Sequence, residues 1–141
     1  MFDECKKKQE EIKTLFSKCT SEEEVYHKII EIGKHSAALP DEHKTEENIV
    51  SGCQSVMYLR SYMNNGKIYF EADSEAMISS GLAVLLTMVY SGEDPETVLK
   101  CPPDYLEQLG ISTSLTPNRA NGLASIHLKM RQDALKFLVN Q

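Results

Sequence analysis

The sequence predicts an α+β domain: a small antiparallel sheet of about three strands, covered by helices. Three observations predict it. Asn64-Asn65-Gly66 separates two runs that alternate apolar and polar residues, and Asn-Gly favours the pair of positive φ angles that a two-residue hairpin turn requires. Residues 75–91 carry Met77, Ile78, Gly81, Leu82, Val84, Leu85, Met88 and Val89 as a wide apolar face at helical spacing, enough to fill the middle of a core. Helical periodicities flank these segments on both sides, and neither flank contains a repeat or a low-complexity stretch.

Taken in order, residues 2–18 read as a helix with Phe2, Cys5, Ile12, Leu15 and Phe16 on one side, a thin stripe suited to lying across the outside of the core. Thr20 with Glu23, or Ser21 with Glu24, forms a capping box. It opens a second helix carrying Val25, Tyr26, Ile29, Ile30 and Ile32, which Gly33 is expected to stop. Leu39-Pro40 lays the chain back over the core. Strands follow at 48–51, 55–63 and 67–72, the last two joined by the Asn-Gly turn. Asp73 or Ser74 is expected to cap the 75–91 helix, whose Gly81 allows close packing of helix on sheet. Asp94-Pro95 and Thr116-Pro117 each place a cap residue before a proline, the start of a short and of a long helix. Residues 104–109 form a further short helix, closed by Gly110. The long helix carries Leu123, Ile126, His127, Met130, Ala134, Leu135 and Leu138 on its buried stripe, with His127 read as a core histidine.

The 141 residues make one domain, 1–141, with 41% hydrophobic and 26% charged residues. A net charge of −6 argues against a nucleic-acid partner, which calls for a basic face. The longest apolar run, 82–90, is too short for a membrane span, and the N-terminus lacks the basic and apolar regions of a secretory signal, so the cytoplasm is the expected compartment. Cys5, Cys19, Cys53 and Cys101 are widely scattered. No CxxC occurs and no histidine stands within five residues of a cysteine, so reduced thiols without a metal are expected.

One cysteine stands apart. Cys53 follows a glycine, between a short β-branched run and a strand-like apolar one, on a connection leading into the hairpin. Read from spacing alone, it is either a buried small hydrophobe or a reactive thiolate. Gly52-Cys53-Gln54-Ser55, preceded by Asn48 and Val50, resembles the signature of the SufE family, the sulfur acceptors of cysteine desulfurases (SufE/CsdE-like). Further blocks match in the same order: Leu39-Pro40, Ala72-Asp73-Ser74 with Gly81-Leu82, and Leu115-Thr116-Pro117-Asn118-Arg119 with Asn121-Gly122-Leu123. The match covers about 20–138, with the 2–18 helix preceding it.

The resemblance implies a fold shared with iron–sulfur scaffolds of the IscU type. It also implies a non-enzymatic sulfur carrier: Cys53 takes persulfide sulfur from a SufS/CsdA-like cysteine desulfurase, stimulates it, and passes sulfur to a downstream iron–sulfur scaffold. Pyridoxal phosphate then belongs to the partner and this chain needs no cofactor. Shielding of the persulfide is expected from an apolar recess near Met57, Tyr58 and Leu82. Arg119 is a candidate stabiliser of the sulfur anion or a brace at its helix start, and Asp73 a candidate site residue ranked first as a helix cap. The family usually has a tryptophan where this chain has Tyr58. Two alternatives stand beside this reading. An iron–sulfur cluster scaffold on the same fold would need further ligands, with Cys101 a remote second. A thiol hydrolase would need a histidine turned toward Cys53.

Overall fold

The computed structural model describes residues 2–35, 39–52, 56–111 and 115–140. Six helices of at least five residues and two strands are found among them: α1 (Asp3–Leu15), α2 (Glu22–Lys34), β1 (Met57–Asn64), β2 (Lys67–Ser74), α3 (Met77–Tyr90), α4 (Pro95–Lys100), α5 (Asp104–Gln108) and α6 (Pro117–Val139).

The hairpin forms as its turn chemistry dictates. Asn65 and Gly66 take φ of 53° and 80°, and Asn64 pairs with Lys67, so the register runs out to Met57 opposite Ser74. Met57, Leu59, Ile68 and Phe70 face the core, as alternation requires. The expected third strand at 48–51 is reduced. Glu46–Asn48 form a 3-10 turn, Gly52 turns to a φ of 90°, and between them only Ile49 bridges Tyr58. At the other edge Ile68 bridges Glu93. Among the described residues the sheet is therefore two strands with a single bridge on each side.

α3 is the central helix. Ile78, Gly81, Leu82, Ala83, Leu85, Leu86, Val89 and Tyr90 are buried on it, whereas Met77 and Met88, expected on its core face, are exposed. It packs against α2, β2, α6 and α1. Its N-cap is Ala76, without a side-chain cap: β2 continues through Asp73 to Ser74 and draws Asp73 away from the helix end. Only Ser74 keeps part of the expected role, its Oγ accepting the Ala76 N–H at 3.3 Å.

Two glycines serve packing in ways that local sequence signals misassign. Gly33 lies inside α2, which runs to Lys34 and ends at His35. A Cβ on Gly33 would stand 2.7 Å from the Gly81 nitrogen, and one on Gly81 would stand 2.1 Å from the Ile29 carbonyl oxygen. Gly81 thus permits helix-on-helix contact, with the backbones of α2 and α3 touching. The capping box forms as expected: Ser21 Oγ accepts the Glu24 N–H at 3.2 Å, and the Glu24 carboxylate accepts the Thr20 N–H at 2.6 Å.

α1 is shorter than expected, ending at Leu15, and more deeply seated: Cys5, Ile12 and Phe16 are buried in the core cluster while Leu15 is exposed. On α6, Thr116 Oγ1 accepts the Arg119 N–H, and Leu123, Ile126, Met130 and Ala134 are buried. Leu135 and Leu138, expected on the same stripe, are exposed; Asp133 takes the buried place, held by Ser61 Oγ at 2.6 Å and Lys129 Nζ at 3.2 Å.

The Gly33–Gly81 crossing leaves no room for a side chain. Gly81→Ala gains roughly 1 kcal/mol of helix propensity but drives its methyl into backbone, an overpacking cost of about 2–4 kcal/mol. A urea titration should show a net loss of at least about 1 kcal/mol; equal or greater stability would refute the close crossing.

Candidate functional site

Cys53, Gln54 and Ser55 lie outside the described residues, and so does any recess around the thiol. What the structure defines is the frame that carries them. Val50 donates its N–H to the Met57 carbonyl at 2.9 Å, so the two ends of the cysteine-bearing connection are tied to each other at the start of the hairpin. Gly52 enters it with φ of 90°, in the left-handed region that disfavours a side chain. Space dictates the same residue: a Cβ here would stand 2.5 Å from Ser125 Oγ on α6. Gly52 is therefore seated on α6 at Ser125, by a contact that leaves no signal in the local sequence.

On the other side of the connection, β1 and β2 bring Tyr58 opposite Asp73. Asp73 is not a helix cap. Its carboxylate accepts the Leu39 N–H at 3.1 Å and lies 3.6 Å from Lys44 Nζ. Leu39 is buried, so Asp73 fixes the returning chain at the point where it goes under. Lys44 is held by Asp41 as well, at 3.4 Å, and these two carboxylates, Asp41 first, raise its ammonium above the usual lysine range. Ser74 Oγ donates to the Val56 carbonyl at 2.9 Å. Lys44, Val56, Tyr58, Asp73, Ser74 and Glu75 line a groove of about 260 Å³ that opens beside the end of the cysteine-bearing segment.

Of the three residues named for the expected recess, Tyr58 lines this groove, while Met57 and Leu82 are packed inside the core. Ile49, Val56 and Met77 expose 41%, 47% and 54% of their surface around the same region, an apolar rim next to a charged groove. Lys44 sits in a polar connection with no motif, so the sequence does not single it out; only its pairing across to Asp73 marks it.

Arg119 stands elsewhere on the frame. Its Nη1 donates to Tyr26 Oη at 2.8 Å, and its guanidinium carbon lies 5.5 Å from the centre of the Tyr26 ring. It thereby braces the first turn of α6 to α2 through Tyr26.

The other cysteines and the histidines divide clearly. Cys5 and Cys101 are buried, Cys19 is half-buried, and no group of three or more metal-ligating side chains forms among the described residues. His27 and His43 lie beside Glu23 and Glu42, and His35 is exposed at the C-terminal end of α2. His127 stacks on Tyr90 with ring centres 5.6 Å apart. Its Nε2 is buried without a hydrogen-bond partner among the described residues, so the histidine expected in the core leaves one ring nitrogen unsatisfied there. No helix among the described residues is long and apolar enough to cross a membrane.

Comparison with known proteins adds to this geometry. The family model for SufE, described as an Fe-S metabolism associated domain, matches residues 10–134. An uncharacterised SufE-like protein of Synechocystis is 32% identical over 126 residues, covering 89% of this chain and 79% of that protein. SufE-like protein 1, chloroplastic/mitochondrial, of Arabidopsis thaliana is 34% identical over 138 residues, covering 97% of this chain. The cysteine desulfuration protein SufE of Plasmodium falciparum is 33% identical over 117 residues, covering 79% of this chain. The alignments span only 37% and 47% of these last two relatives. In structure, the chain matches a hypothetical protein from Thermus thermophilus, solved in solution, with a TM-score of 0.76 at 25% identity over 94% of this chain and 96% of that one.

Burial holds the His127 imidazolium off, and the nearby Arg131 charge adds to it, lowering its pKa to about 4. An unfolded chain binds that proton near pH 6.5, the folded one near 4, so the unfolded state holds more protons between these values and stability falls as pH falls through that window. His127→Phe keeps the stacking and removes the titration. Relative to it, the wild-type unfolding constant should rise at least about tenfold between pH 6.5 and 4, read from urea curves; parallel pH profiles would show that His127 is not held neutral.

Proposed function

This chain belongs to the SufE family, and we propose that it accepts sulfur on Cys53 from the persulfide of a cysteine desulfurase and delivers it to iron–sulfur cluster assembly. The observation that carries this reading is the family match over 10–134, which takes in the Gly52-Cys53-Gln54-Ser55 block. The Plasmodium relative's name, cysteine desulfuration protein, supports a role in sulfur transfer. The cytoplasm is the proposed compartment, although the Arabidopsis relative is named for chloroplast and mitochondrion.

The chemistry is an exchange at sulfur. The Cys53 thiolate attacks the terminal sulfur of the desulfurase persulfide, a new S–S bond forms, and the desulfurase thiolate leaves and takes up a proton. Such an attack is fastest when the attacking thiol has a pKa near the ambient pH. The frame serves it by presentation. The tie between Val50 and Met57 and the seat of Gly52 on Ser125 set where the connection leaves the hairpin. The apolar rim of Ile49, Val56 and Met77 offers surface for a docked desulfurase to cover. Asp73 acts here as a positioning residue, through Leu39 and Lys44. Arg119 supplies a permanent positive charge for the persulfide anion or a partner carboxylate.

The test is sulfide release from L-cysteine by a candidate desulfurase in the presence of wild-type chain or Cys53→Ser. Stimulation by wild type alone, with a gain of one sulfur mapped to Cys53, is expected. Equal stimulation by both would assign Cys53 to packing. Arg119→Ala is expected to slow sulfur acceptance about tenfold, the scale of one lost charge-assisted contact. Tyr26→Phe, which removes only the hydroxyl partner of Arg119, should leave acceptance within about twofold at a stability cost of about 1 kcal/mol. If Tyr26→Phe slows acceptance as much as Arg119→Ala does, Arg119 works as a brace and not as a charge.

A further inference from the structure

α1 is held on the domain by an unusual set of contacts. Lys8 Nζ reaches the Glu93 carboxylate and the Ser91 carbonyl, both just past the end of α3. Beside it, the buried Gln9 side chain points its Nε2 at three acceptors: the Pro102 carbonyl at 3.0 Å, Cys101 Sγ at 3.6 Å and Cys5 Sγ at 3.7 Å. The two sulfurs thus share one amide, and the Cys101 thiol also acts on the Cys5 thiol as a hydrogen-bonding neighbour. Cys101 itself is pinned, its carbonyl accepting Tyr90 Oη at 2.6 Å. Two thiols far apart in the chain are placed against each other, 0% and 2% exposed, and no metal-ligating third group joins them among the described residues.

We infer that Cys5 and Cys101 are a latent disulfide: hydrogen peroxide joins them and locks α1 covalently onto the turn between α4 and α5. With α1 docked the pair is protected. Burial, with Cys101 second, pushes the Cys5 thiol up to about 12, so little thiolate exists to react. Access comes when α1 lifts. Its N-cap Phe2 provides no side-chain cap, and besides the buried Cys5, Ile12 and Phe16 it is held by the polar ties of Lys8 and Gln9. Once in water, the Cys5 thiolate attacks one peroxide oxygen, the O–O bond breaks, and Cys5 sulfenic acid and one water form. On redocking, Gln9 and Lys8 restore the register. The Cys101 thiolate attacks the Cys5 sulfur, the S–O bond breaks, and the second water leaves. The two sulfurs lose two electrons in all, and the peroxide is reduced to two waters. The bond closes a loop of roughly 100 residues, a length at which a crosslink restricts the unfolded chain strongly.

This inference does not depend on the sulfur-acceptor reading, and its test does not use a desulfurase. The full chain, as wild type and as Cys53→Ser, is treated with a small excess of hydrogen peroxide well below its melting temperature. It is then denatured in an alkylating reagent and mapped without reduction. The expected result is a monomer containing a linked Cys5–Cys101 peptide in both proteins, a melting temperature raised by roughly 10 °C, and reversal by dithiothreitol. Lys8→Ala, which cuts the anchor to Glu93, should form the bond several-fold faster. Recovery of Cys5 and Cys101 as alkylated thiols while Cys19 is oxidised would overturn the proposal, as would links between chains. An unchanged or slower rate in Lys8→Ala would overturn the route through a lifted α1.

Discussion

The crossing of α2 over α3 at Gly33 and Gly81 is the constraint on which the remaining structure depends. Helices that meet through side chains stand about 8–10 Å apart; here backbone meets backbone, with the Gly33 Cα face against the Gly81 nitrogen and the Gly81 Cα face against the Ile29 carbonyl. That approach fixes how deep α2 sits. α2 in turn carries Tyr26, the partner of Arg119, and α3 follows directly from β2, which carries Asp73. Asp73 and Arg119 therefore take their positions from elements joined at one contact. A methyl group at either glycine would disturb the frame far from where it was added.

Much of this was legible in the chain. Asn65-Gly66 specified the hairpin because few residues tolerate its backbone angles, and the alternation beside it specified which face is buried. Ser21 with Glu24 and Thr116 with Pro117 specified two helix starts because orphan amides need an acceptor at a fixed spacing. The failures have a common origin in tertiary competition. Asp73-Ser74 before an apolar run carries the local signal of a cap, but pairing with β1 extends the strand through both residues and Leu39 claims the carboxylate. Gly33 near the end of an apolar stripe looks like a stop, and nothing nearby in sequence reveals that another helix needs the space. The strand expected at 48–51 was an alternation too short to outweigh a 3-10 turn before it and the left-handed Gly52 after it.

The site was legible unevenly for the same reason. Cys53 and its flanks form a continuous motif, so the chain itself identifies them. Lys44, Ser125 and Tyr26 matter only through what they touch across the fold: Lys44 meets Asp73, Ser125 meets Gly52, and Tyr26 meets Arg119. Each is a common residue type in an ordinary context. Partners of this kind are supplied by topology, and a single sequence holds no record of topology at the resolution of one side chain.

The hydrogen bond between Val50 and Met57 has a mechanical consequence. Because it ties the two ends of the cysteine-bearing connection together, that connection is a small closed ring attached to the hairpin and not a strut between the sheet and the rest of the chain. Force applied to the ring by a docking protein is resisted first by this one bond and the Ile49–Tyr58 bridge beside it, and the ladder from Tyr58 to Lys67 is spared. For the sulfur transfer proposed above, such mechanical isolation means that a load borne at this end of the hairpin does not reach the register of the core.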